Sequence, residues 1–148
     1  MTTTLESERL RILLDAAQQN CREEILADAK AAADNKLKEI STAQWNGIAE
    51  LARNPSYGIE GIQKELLDRS EKRWSNETPI PASDTGTNED ELNNFLEKLK
   101  SQSQQEIEKI CLQIPLTDMQ KEELIQKLYL SNLREYLLAL VEYHRATA

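Results

Sequence analysis

His144 is the only histidine in the chain, so any site built on several imidazoles is excluded and any Ser-His-Asp or Cys-His system would depend on this one residue. Glu142 precedes it by two positions, not three, which removes the Glu-x-x-His pairs that hold di-iron centres in helical bundles. Placed near the end of a helical pattern, His144 reads as a cation favoured by the helix dipole. Cys21 and Cys111 lie far apart, each at an apolar position of a helical pattern, and read as buried thiols in a reducing cytosol. The carboxylate pairs Glu122 with Glu123 and Glu106 with Glu108 are spaced by one and two, so they do not share a helix face as paired acids and bases must. Gly-x-Gly-x-x-Gly, a Walker loop and Cys-x-x-Cys are all absent from the sequence. No catalytic, cofactor-binding or metal-ligating residue is therefore assigned, and a non-enzyme without a cofactor is expected.

The elements that would carry these residues read as helices throughout. Thr3 with Glu6 resembles a capping box, and from it a proline-free stretch runs to about Arg53. Leu10, Leu14, Ala17, Cys21, Ile25, Asp28 and Ala32 follow at steps of three and four, all but Asp28 apolar or small. A second register, Leu37, Ile40, Gln44, Ile48 and Leu51, is out of phase with the first, and Ser41 with Gln44 repeats the capping signature. A break near Ser41 is one reading; a continuous rod of roughly 75 Å is the other. The alanine-rich run from Ala27 to Asp34 is open to two readings as well, a solvated spacer or a close helix contact through small side chains.

Asn54-Pro55-Ser56-Tyr57-Gly58 predicts a reversal, followed by a helix on Ile59, Ile62, Leu66 and Leu67 that ends near Trp74. Residues 76–87, with two prolines and a glycine, read as a linker. The expected organisation is thus 1–75, a long helix plus its return; 76–87, a flexible joint; and 88–148, a helical hairpin. In that hairpin Asn88 with Glu91 marks a start, and Leu92, Leu96, Leu99, Ser103, Ile107, Ile110 and Ile114 form a coiled-coil seam that only Ser103 interrupts. Pro115 stops it, and Thr117 with Gln120 begins the last helix after a very short turn.

That last helix, about 118–147, carries leucines over more than one narrow stripe. Tyr129, Tyr136 and Tyr143 add a row at seven-residue spacing. The row either packs along the edge of an intramolecular bundle with its hydroxyls in water, or forms with Leu133 and Leu140 a docking strip for a second chain. The partner-binding candidates are accordingly Tyr129, Leu133, Tyr136, Leu140 and Tyr143.

Composition sets the outer limits. Eighteen basic against 26 acidic residues leave a net charge of −8 over 148 residues, which argues against a nucleic-acid backbone or an anionic membrane as principal partner. No run of apolar residues is long enough to span a bilayer, and the polar, acidic start carries no secretory signal pattern. The expected architecture is all-α: an elongated, coiled-coil-like bundle of four to five helices. The expected role is that of a cytoplasmic, non-catalytic adaptor, regulatory or assembly subunit that binds protein partners or itself. The alternative is a small subunit of a nucleoprotein complex using Lys64, Arg69, Lys72 and Arg73, although Glu65, Asp68 and Glu71 among them favour intrahelical charge pairing.

Overall fold

A computed structural model describes residues 4–35, 42–72 and 88–147, with side chains over 7–33, 45–68 and 92–146. The described residues form five helices and no strand: α1 (Thr4–Asn35), α2 (Thr42–Arg53), α3 (Ile59–Lys72), α4 (Asn88–Cys111) and α5 (Asp118–Thr147). The expected all-α fold is the observed one. The restart after the phase change falls at Thr42, while Leu37, Ile40, Ser41, the joint 76–87, and the side chains of the Thr3, Ser41 and Asn88 capping boxes lie outside the described residues.

Three long helices make the body, because each carries an apolar stripe that needs two neighbours. Every seam position of α4 from Leu92 to Ile110 is buried, and Ile114 remains buried past the helix end. The helix itself stops at Cys111, four residues before Pro115, and the Ile114 N–H still reaches the Ile110 carbonyl at 2.9 Å. The capping box that starts α5 is complete. The Thr117 N–H donates to Gln120 Oε1 at 2.9 Å and the Gln120 N–H to Thr117 Oγ1 at 3.1 Å, satisfying two donors that the helix leaves open. With so short a turn, α4 and α5 run antiparallel.

Polar contacts fix how α1 lies on this hairpin. Gln18 donates to Ser131 Oγ at 2.8 Å and Arg22 pairs with Glu135 at 3.2 Å, the same offset in sequence, so α1 is parallel to α5. Asn20 donates to Glu106 at 3.1 Å while Lys98 reaches Asp28 at 2.9 Å and Glu24 at 3.0 Å, which makes α1 antiparallel to α4. Asp28, the exception in the predicted seam, is displaced to this flank by Lys98, and Ala29 takes the buried place. Ala29 and Ala32 have no exposed surface, so for these two the alanine-rich run makes a close contact.

The short helices cover one half of the three-helix body. α2 lies on α5 and α3 lies on α4, the latter tied by Gln63 to Asn93 at 2.6 Å. The reversal between them is held by Asn54, whose carbonyl accepts from the Tyr57 N–H at 3.2 Å and whose Oδ1 accepts from the Ser56 N–H at 2.9 Å. Buried apolar residues consequently fall into two clusters. The larger joins α1 from Cys21 onward with α2, α3, the first half of α4 and the second half of α5. The smaller joins Ala17 to Ile107, Ile110, Ile125 and Leu128, where only α1, α4 and α5 are present.

Candidate functional site

The five residues expected to form a docking strip are placed in the fold as follows. Tyr129, Leu133, Tyr136 and Leu140 are buried in the larger cluster, and Tyr143 packs half-buried against it. In the folded chain the first four are core residues and only Tyr143 keeps an exposed part. The physical reason is the number of neighbours: α5 is enclosed by α1, α2 and α4, whereas hairpin pairing alone would have left most of its circumference bare. Burial raises the Tyr136 phenol well above its ordinary range, with the Asp28 carboxylate adding to the effect. Burial, aided by Glu97, likewise pushes Tyr129 up to about 12.

Between the two apolar clusters lies a polar layer that the sequence marks only through Ser103. Ser103 and Asn132 are each 0% exposed. The Ser103 hydroxyl donates to the Leu99 carbonyl at 2.9 Å and accepts from Asn132 Nδ2 at 3.3 Å. Cys21 completes the layer from α1, and the burial that pushes its thiol pKa up outweighs the Asn132 hydrogen bond that pulls it down. A thiol held protonated in this way is a poor nucleophile. Asn132 Oδ1 is shut off from solvent without a donor among the described residues, which costs stability. Asn132, the one amide on an otherwise apolar face of α5, was not singled out by spacing.

His144 does lie in the last turn of α5, but half-buried and not fully solvated. Its ring stacks on Trp45 of α2 with centroids 4.1 Å apart and planes at 15°, and desolvation lowers its pKa from the ordinary value. The pairing joins the last turn of α5 to α2, which no local spacing announces. Glu106 is taken up by Lys109 and Asn20, and Glu108 by Lys121 at 3.7 Å. Among the described residues, no three ligating side chains gather in a way that would hold a metal ion. Of the basic cluster, Lys64 is exposed on α3, while the side chains of Arg69 and Lys72 and the whole of Arg73 lie outside the described residues.

The surface with unspent apolar area is at the other end, where the α4–α5 turn meets the start of α1. Leu112 is 88% exposed and Met119 is 74% exposed, one on each side of the turn. Between the turn and α1, Leu10, Ile114, Pro115, Leu116 and Leu124 line a cleft of about 180 Å³, with Gln120 and Glu123 at its edge. Of the nearby cations, Arg11 pairs with Glu8 at 2.9 Å, Lys109 with Glu106 at 3.0 Å and Lys121 with Glu108, while Arg9 donates to the neutral side chain of Gln113 at 3.3 Å. Asp118, Glu122 and Glu123 are exposed and have no cationic partner among the described residues.

No family model, no curated protein and no solved structure matches this chain. No helix among the described residues is long and apolar enough to cross a membrane.

Proposed function

We propose that this protein is a cytosolic, non-catalytic interaction protein, an adaptor, regulatory or assembly subunit, and that it engages its partner at the end formed by the α4–α5 turn and the start of α1. The observation that carries this reading is the pair of solvent-exposed side chains Leu112 and Met119 beside an apolar cleft. Large apolar groups gathered at one end of a monomer are characteristic of a contact surface, whereas single scattered ones are not. The acidic rim of Asp118, Glu122 and Glu123 favours a basic amphipathic helix or segment as the occupant, since like charge would oppose a second copy brought end to end.

The test is fluorescence anisotropy of a labelled, 18-residue amphipathic peptide of leucine and lysine, compared between the parent chain and the uncharged double variant Leu112→Ser, Met119→Ser. Binding that weakens by roughly tenfold or more in the variant is expected from the loss of two apolar contacts. Equal binding to both proteins would remove the turn from the interaction. Sedimentation velocity run alongside distinguishes self-association: a dimer that the same variant dissociates would assign this end to a second copy.

A further inference from the structure

The groove between α1 and α5 is covered by α2 only as far as Arg53, where α2 ends. Past that point it continues as an open cavity of about 630 Å³. Three cations line it: Arg53 at the helix end, Lys127 and Arg134 on α5. Its one carboxylate, Glu135, is already held by Arg22 at 3.2 Å. In a chain of net charge −8 this is a local reversal of sign.

The cations differ in how they are held. Arg134 is half-buried; its Nη2 donates to the Tyr57 carbonyl at 2.9 Å, and its Nε is closed off from solvent with no acceptor. The guanidinium is thus fixed in place beside the groove, so its charge acts on a ligand there with little further ordering. Arg53 and Lys127 are exposed and make no ion pair among the described residues. Ala52, Leu130 and Leu138 give the same groove an apolar floor. A second lobe of about 600 Å³ shares Lys127 and Leu130 and opens on the start of α3 between Ser56 and Gly61, with Glu60 as its only carboxylate. The first-turn N–H groups of that helix add partial positive charge.

We propose that this groove binds a small organic phosphate, its phosphoryl oxygens between Arg53, Lys127 and Arg134 and its apolar part on Leu130 and Leu138. Guanidinium forks suit a phosphate dianion better than a single carboxylate. Small size follows from charge: a polyanion would extend beyond the groove onto the acidic surface, whereas a ligand within about one screening length, roughly 8 Å, feels the local cations.

The experiment is a heteronuclear NMR titration of the full chain with phenyl phosphate at constant ionic strength, with sodium chloride as the blank. Saturable shifts are expected at Arg53, Lys127 and Arg134 and at the methyl groups of Leu130 and Leu138. Methyl phosphate, equal in charge but almost without an apolar part, should reach the cations, bind more weakly and leave the methyl groups of Leu130 and Leu138 nearly unmoved. Lys127→Glu should weaken phenyl phosphate by about tenfold, as expected for the loss of a charge-assisted contact, and Arg53→Glu by a similar factor. Lys121→Glu, at the remote turn, should have no effect. The site is overturned by shifts that chloride reproduces, by shifts spread equally over Arg9, Arg11 and Lys121, or by binding that survives both charge reversals. Equal affinity for methyl phosphate and phenyl phosphate overturns the organic ligand.

Discussion

At the scale of single residues, the chain keeps two polar arrangements that packing alone would not require. Asn132 is the first. Its Oδ1 has no donor although it is fully enclosed, and Ser103 is still satisfied through Leu99 when the amide is removed. Asn132→Leu, close in volume, is therefore expected to raise stability by about 1–2 kcal/mol, read as a higher urea midpoint at unchanged slope. A lower midpoint would mean that the amide contributes net stability through Cys21 and Ser103. His144 on Trp45 is the second. Its folded pKa lies below the ordinary value of 6.5, so the folded state takes up its proton less readily than the unfolded chain. The sign follows: the contribution is complete above about pH 6.5 and is lost as pH falls through the lowered folded value. Comparing the wild type with His144→Phe, the wild type should lose more stability between about pH 7.5 and 5.5. Identical slopes would exclude the stack as their origin.

At the scale of elements, α4 and the start of α5 were legible in the sequence because their determinants are local. The seam from Leu92 to Ile114 and the Thr117–Gln120 box each depend on residues within a few turns, and both appear in the structure as spacing predicts. Thr117→Ala removes the side-chain acceptor for the Gln120 N–H and should cost about 1 kcal/mol in thermal or urea unfolding. What α5 packs against was not legible, because that depends on how α1 and α2 return to it in three dimensions, and periodicity carries no partner label. An apolar circumference announces several neighbours without saying whose they are. Here α1, α2 and α4 supply them, which moves Tyr129, Leu133, Tyr136 and Leu140 inside. Leu140→Ala should then cost about 2–5 kcal/mol, the penalty of a core cavity, whereas a residue on an unpaired strip would cost little. The apolar end and the cationic groove escaped for the same reason: Leu10 comes to share a cleft with Leu124, and Arg53 a groove with Arg134, only through tertiary packing.

At the scale of the whole molecule, the polar layer divides the core unequally, and stability should follow the division. On one side α2 and α3 add their faces to the three long helices; on the other Ala17, Ile107, Ile110, Ile125 and Leu128 are enclosed by α1, α4 and α5 alone, with Leu10, Leu13 and Leu14 only half covered. Fewer buried contacts per residue lower the free energy of local opening. Native-state hydrogen exchange should therefore show α1 up to about Ala17 opening at the lowest free energy of any long-helix segment. The ends of α4 and α5 near the turn should follow, and α5 from Leu133 to Val141 should exchange only on global unfolding. The proposed contact surface lies at the end that opens first, which gives the measurement a second use. A partner seated on Leu112, Met119 and the cleft would raise protection of α1 up to Ala17 while leaving Leu133 to Val141 to rise only with global stability. Uniform exchange across both halves would show that Ser103, Asn132 and Cys21 interrupt the apolar packing without dividing its cooperativity.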